Sequence, residues 1–152
     1  MSFQLPITTR NRAACAVIAL GSNLGLGDES PAQIIFAAAK RLQSVSRCAV
    51  QLSSIYSTAA VGLGTGAPDF CNAVAVIEPD FGLSAHGLLD SLLAIELDLG
   101  RERLQPAADA SYASRTIDLD LICCRDEIID SAALQLPHPR AAERAFVLEP
   151  LA

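Results

Sequence analysis

The stretch SRTIDLDLICC, residues 114–124, sets two aspartates, Asp118 and Asp120, between Ile117, Leu119 and Leu121. On a β-strand, side chains two apart project from one face, so both carboxylates point the same way while the three aliphatic side chains turn to the core. Adjacent carboxylates repel and raise each other's pKa unless a cation lies between them. Oxygen ligands with room for water and phosphate suit Mg²⁺ better than zinc, because magnesium keeps an octahedral shell filled largely by substrate and solvent. The plain alternative is a one-sided sheet whose outer residues are merely polar.

The neighbours of the pair bear on that choice. Arg115 stands immediately upstream, and the sixteen residues GRERLQPAADASYASR (100–115) carry Arg101 and Arg103. Downstream, His138 and Arg144 lie in LPHPRAAERAFVLEPL (136–151). A magnesium-binding carboxylate pair among arginines and a histidine is what phosphoryl transfer requires, since charge spread over phosphate oxygens must be neutralised while the groups are held in line. Taken alone, His138 reads as an exposed loop histidine between prolines, and His86 as structural. The glycine-rich VGLGTGAP (61–68) could cradle a phosphate, but it lacks the spacing and the lysine of a P-loop.

The elements that must position these groups are legible from pattern. ACAVIAL (14–20) is a continuous apolar run closed by Gly21-Ser22-Asn23, a buried strand entering a loop. Ser30, Pro31 and Gln33 form a cap, a first-turn proline and a capping box, followed by Ile35, Ala38, Leu42 and Val45 at helical spacing. Val50, Leu52, Ser54 and Tyr56 alternate, predicting a second strand that ends near Thr58, and FCNAVAVIE (70–78) is a third, antiparallel to it. Ser84 caps a second helix with Leu88, Leu92, Ile95 and Leu99 in one stripe and Gly100 as its stop. Glu96 sits beside that stripe, where helix geometry alone allows a solvated edge position. The aperiodic loop 100–115 is long enough to be functional or mobile. Residues 116–124 are the fourth strand, and 127–129 are placed to pair back on it. Strand, helix, strand, strand, helix, strand is an α+β, ferredoxin-like arrangement, an antiparallel sheet with helices on one face. A single domain over residues 1–152 accounts for the chain.

Composition narrows the function classes. The chain has 152 residues, 51% of them hydrophobic, and a formal net charge of −6, which argues for a compact fold and against a general nucleic-acid binder. A ferredoxin-like RNA-binding domain would need exposed sheet aromatics and a basic face, and only 5% of residues are aromatic. Six arginines, Arg101, Arg103, Arg115, Arg125, Arg140 and Arg144, nevertheless lie in the last third, beside a single lysine, Lys40. Arginine's planar fork suits phosphate oxygens, so a local anion site fits an acidic protein. The apolar run 13–20 is too short to cross a bilayer, and MSFQLPITTRNR is a poor signal peptide, so a cytoplasmic protein with no membrane partner is expected. Five cysteines, an odd number with no CxxC pair, read as buried reduced thiols without chemistry.

Six segments together resemble one family, hydroxymethyldihydropterin pyrophosphokinase of folate biosynthesis. They are ALGSNLG (19–25), SSIYST (53–58), DFCNAV (69–74), IELDLGRER (95–103), RTIDLDLI (115–122) and PHPRAAERAFVLEPL (137–151). The resemblance implies transfer of the β,γ-diphosphate of ATP to the hydroxymethyl group of 6-hydroxymethyl-7,8-dihydropterin, with AMP released, by an enzyme acting as a monomer. It implies that Asp118 and Asp120 hold two Mg²⁺ ions, and that Arg101, Arg103 and Arg115 lie on or beside a catalytic loop that closes over the nucleotide, with Arg101 and Arg115 catalytic. Phe70 and Phe146 match the aromatics that sandwich the pterin, Asn72 the amide that reads its edge, and Thr58 and Val61 the loop that offers it backbone hydrogen bonds. Without the family pattern both phenylalanines read as core. Glu96, Tyr112, Ile117, His138 and Arg144 match nucleotide and phosphate contacts. The chain departs from the pattern at Leu93, where a glutamine often touches the nucleotide, at Tyr112, where a tryptophan often packs, at Ala142, where a basic residue is frequent, and at Ala59, a common proline. Family members usually continue past the segment that here ends at Ala152. The rival expectation is a non-catalytic relative that binds pterin or nucleotide without turnover.

Overall fold

The computed structural model describes residues 12–59, 68–101 and 115–140. In chain order the elements are β1 (Ala16–Ser22), α1 (Pro31–Leu42), β2 (Gln51–Leu52), β3 (Tyr56–Thr58), β4 (Phe70–Ile77), α2 (Ala85–Asp98), β5 (Asp118–Cys124), β6 (Ile129–Asp130) and β7 (Gln135–Leu136). The main sheet runs β2-β4-β1-β5, with β3 also paired to β4, and every pairing in it is antiparallel. The ferredoxin-like expectation is met in order and direction.

Local signals start and stop the helices as the sequence predicts. Ser30 Oγ accepts from the Gln33 N–H while Gln33 Oε1 accepts from the Ser30 N–H, a complete capping box ahead of α1. Ser84 Oγ accepts from the Gly87 N–H at the start of α2. The apolar stripes of both helices, with Ile34, Ile35 and Leu42 from α1 and Leu88, Leu92 and Ile95 from α2, meet Ala16, Ile18, Leu20, Ala73, Ala75, Leu119 and Leu121 in one core. All of these strand residues belong to one face of the sheet, so both helices lie on that face and the other is left for Asp118, Asp120 and their opposed neighbours.

Two expectations require correction. The second strand is not continuous: four residue steps separate Leu52 from Tyr56, whereas their partners Ala75 and Asn72 are three apart, so the strand carries one extra residue. Ser53 makes the break, its hydroxyl accepting the Val74 N–H at 2.9 Å while its own N–H donates to Val74 O at 2.9 Å. The bulge reverses the facing, so Leu52 packs on the helix side while Tyr56 and Thr58 join the open side. Residues 127–129 also do not pair on the fourth strand. Ile129 and Asp130 pair instead with Leu136 and Gln135 in a separate two-stranded ribbon, since Arg125, at φ 55°, turns the chain away from β5.

Candidate active site

A single line of opposed residues crosses the open face. Gly21 of β1 stands opposite Asp118 of β5 on one side and Asn72 of β4 on the other, and Asn72 in turn stands opposite Tyr56 of β3. Directly opposed residues share a face, so the acidic pair and Asn72 belong to one surface with a glycine between them. A Cβ on Gly21 would stand 3.2 Å from Asn72 Oδ1 and 3.7 Å from Phe70 Cδ1, so glycine keeps the middle of the surface low beside both groups. Asn72, 4% exposed, donates from Nδ2 to Thr58 Oγ1 at 2.6 Å, which fixes the amide orientation. Phe70 opposes Thr58 and is half-buried, outside the helix-side core.

The acidic end of the line is built from two ion pairs that meet on Asp118. Its Oδ1 accepts from Arg101 Nη1 at 2.7 Å, and its Oδ2 lies 3.3 Å from Arg115 Nη1. The same Arg101 Nη1 donates to Glu96 Oε1 at 2.6 Å, and that oxygen also accepts the Leu119 N–H at 2.8 Å. Glu96 is 2% exposed, so of the positions that helix geometry left open the buried one holds: it reaches from α2 to β5, the end strand of the sheet among the described residues, and accepts the Leu119 N–H there. The end of α2 sets Arg101. Gly100, at φ +80°, donates its N–H to Leu97 O at 3.0 Å and the Arg101 N–H reaches Glu96 O at 3.0 Å, the paired bonds of a Schellman motif. The apolar contact that often accompanies this motif is replaced here by the Glu96–Arg101 ion pair.

Asn23, for which the sequence suggested no role, ties the two halves together. It is 2% exposed; its Oδ1 accepts the Arg115 N–H at 2.8 Å, its Nδ2 donates to Pro68 O at 3.3 Å, and the N–H groups of Asn23 and Leu24 both reach Arg115 O at 3.2 Å. Its signals in the sequence are a polar residue directly after a buried strand and its place within the ALGSNLG segment. Arg115, held in this way, sits between the ends of the line, with its guanidinium 5.8 Å from the centroid of the Phe70 ring as well as against Asp118.

Residues 17–152 match the family model of 7,8-dihydro-6-hydroxymethylpterin-pyrophosphokinase. The chain belongs to this family. It is 39% identical to the 2-amino-4-hydroxy-6-hydroxymethyldihydropteridine pyrophosphokinase of Haemophilus influenzae, over 90% of this chain and 78% of that protein. Its identity to the enzyme of the same name from Pseudomonas aeruginosa is 38%, over 89% and 76% of the two chains, and to that of Bacillus subtilis 37%, over 90% and 75%.

Of the residues matched to the pyrophosphokinase pattern, the structure brings Arg101, Arg115 and Asp118 into contact and sets Thr58, Phe70 and Asn72 together on the same face. Asp120, opposite Ala19, projects from that face one step along β5. With His138 it lines a cavity of about 410 Å³, beside Leu89, Leu134 and Gln135. His138 is anchored by its N–H to Ile122 O at 2.8 Å, and its Nδ1 accepts the Arg140 N–H at 3.2 Å. The side chain of Ile117 is fully buried in the helix-side core, as the alternation along the strand predicts. Val61, Arg103, Tyr112, Arg144 and Phe146 lie outside the described residues. His86 Nε2 lies 3.5 Å from Ser131 Oγ, and Ser131 is among the residues that line the cavity.

All five cysteines are free; Cys15 and Cys124 are buried, whereas Cys48, Cys71 and Cys123 are only partly so, a more open set than expected. Burial pushes the Cys123 and Cys124 thiols above the ordinary range, which disfavours the reactive thiolate. Among the described residues no helix is long and apolar enough to cross a membrane.

Proposed function

We infer that the chain carries out the reaction of its family, moving the β,γ-diphosphate of ATP to the hydroxymethyl group of 6-hydroxymethyl-7,8-dihydropterin and releasing AMP. The observation that carries this reading is the line across the open face. A carboxylate pair flanked by arginines stands at one end, and an amide, a hydroxyl and an aromatic ring stand at the other, across a glycine.

In this reading Asp118 and Asp120 hold two Mg²⁺ ions. The donor chemistry fits: two carboxylates share a face and, among the described residues, no group of three or more His, Cys, Asp or Glu side chains forms a closed metal cage, which leaves positions for phosphate oxygens and water as magnesium prefers. Bound there, the ions would neutralise the triphosphate and lower the cost of charge developing at the attacked phosphorus. Arg101 and Arg115 reach the same surface as fixed cations whose value rises as charge builds in the transition state. Asn72, held by Thr58, presents Oδ1 as an acceptor for the donor groups on the pterin edge. Phe70 offers a ring face for stacking, with Phe146 as its counterpart and Val61 as a further pterin contact. The cavity at Asp120 and His138 takes the nucleotide, with Arg103, Tyr112 and Arg144 completing that side. The enzyme works as a cytoplasmic monomer in this reading, and the free thiols fit a reducing compartment.

The test is direct. ATP, Mg²⁺ and the reduced pterin are mixed with the folded protein, and AMP and pterin diphosphate are measured. Stoichiometric formation of both supports the reading; a folded sample that binds pterin or nucleotide yet forms neither product would make the chain a binding relative.

A further inference from the structure

Asp118 is engaged by protein cations on both oxygens, with Arg101 Nη1 2.7 Å from Oδ1 and Arg115 Nη1 3.3 Å from Oδ2. The side chains are sheltered, at 15% exposure for Arg101 and 25% for Asp118, so their charges are poorly screened by solvent. A divalent cation placed on Asp118 would meet a guanidinium in contact with the same carboxylate, and like charges that close repel strongly. Arg101 has somewhere else to hold. The nitrogen that touches Asp118 also touches Glu96 Oε1, at 2.6 Å, and the carboxylate of Glu96 is itself fixed by the Leu119 N–H.

We propose that Arg101 is a resident counter-cation at the metal seat, and that Glu96 is the positioning residue that retains it when Asp118 turns to a divalent cation. The inference rests on Asp118 and Asp120 being the metal ligands. Glu96 is then a residue the nucleotide does not need to touch. Its charge divides the hold on Arg101 between two carboxylates, so that Asp118 can be released without Arg101 leaving the surface. With Glu96 neutral, Arg101 would close on Asp118 alone and compete harder with the metal. With Arg101 absent, Asp118 would be more available to a metal, although the enzyme would have lost a cation it uses on phosphate. Metal affinity and turnover are therefore expected to move in opposite directions in an Arg101 variant, which a merely structural ion pair does not produce.

The experiment is a titration of the full chain with Mn²⁺ in the absence of nucleotide, reading free Mn²⁺ by electron paramagnetic resonance, alongside thermal melting and steady-state turnover. Arg101→Ala should bind Mn²⁺ about tenfold more tightly than the unaltered chain, the effect of deleting one close like charge, while turnover falls. Arg101→Gln serves as the same test should the alanine variant not fold. Glu96→Gln keeps an acceptor for the Leu119 N–H and should fold, yet bind Mn²⁺ more weakly. The exposed Arg41, paired with Asp98 on the surface, is the control for bulk charge, and Arg41→Ala should leave Mn²⁺ affinity unchanged. Equal or weaker Mn²⁺ binding by the Arg101 variants, or equal tightening by Arg41→Ala, overturns the proposal. Unchanged or tighter binding by folded Glu96→Gln overturns the role of Glu96. Asp120→Asn separates the underlying assignment: if it binds Mn²⁺ as the unaltered chain does, the carboxylate pair is not the metal site and both readings fall.

Discussion

Asn23 accepts the backbone N–H of Arg115 at 2.8 Å across 92 positions of sequence, and with its other amide atom it donates to Pro68. One buried side chain thus fixes the residue that touches Asp118 and the residue that leads into β4, where Phe70 and Asn72 stand. Asn23→Ala leaves the Arg115 N–H without its side-chain acceptor, a loss of about 1–3 kcal/mol in stability. The melting temperature should fall, and kcat/KM should drop for both substrates, because neither half of the surface keeps its place. Equal melting of Asn23→Ala and the unaltered chain would contradict this account.

What could be read from the sequence was local. The caps at Ser30 and Ser84, the stop at Gly100 and the alternation around Asp118 are each encoded within a few residues, and each stands where the pattern put it. The break between β2 and β3 was not legible because it depends on Ser53 bonding to Val74, twenty-one positions away. The buried position of Glu96 escaped for a related reason. Helical periodicity places it at the margin of the stripe, but whether that margin meets water or the edge of β5 depends on how α2 lies on the sheet. Asn23 looked like loop punctuation because its partners, Pro68 and Arg115, are distant in the chain. The acidic pair and the arginines were legible as chemistry, whereas the order of their contacts was not.

Asp118→Ala and Asp120→Ala should each abolish turnover while leaving the fold largely intact. Both carboxylates sit on the open face, and neither contributes to the apolar core. In Asp118→Ala the Arg101 guanidinium still has Glu96. Product formation and far-ultraviolet circular dichroism check the two parts; near-normal turnover in either folded variant would contradict the two-metal assignment.

Arg115→Ala should reduce kcat more than it weakens substrate binding, because a fixed cation gains most as charge develops on the transferred group. The mutation also removes the guanidinium that approaches the Phe70 ring, so a modest rise in KM for the pterin is expected beside the larger loss in kcat. Penalties of equal size in KM and kcat would instead mark a simple ground-state contact.

The Cys123 and Cys124 thiols should alkylate slowly in the folded chain at mildly alkaline pH, because burial raises the pKa of both. The same shift fixes the sign of a stability effect. Folding holds these protons to higher pH than the unfolded chain does, so above the ordinary thiol range of about 8.5 the unfolded state binds fewer protons and stability declines as pH rises. Below that range the contribution is fully present. Replacing both with serine should flatten that part of the pH profile, as read from denaturant midpoints between neutral and alkaline pH.

Gly100 is the hinge between the helix that carries Glu96 and the arginine paired with it, so a substitution there should register in both stability and rate. At φ +80° an alanine is strained, and its Cβ would stand 2.9 Å from Leu26 Cδ1. Gly100→Ala is expected to cost about 1–2 kcal/mol from the left-handed backbone alone. Relief of that strain would shift the Schellman turn, moving Arg101 away from Asp118 and lowering kcat. Gly82 is the matched control, since a Cβ there meets nothing within 4 Å. Gly82→Ala should melt close to the unaltered chain and turn over normally. Indistinguishable melting and turnover in the two alanine variants would show that the turn at Gly100 does not set the position of Arg101.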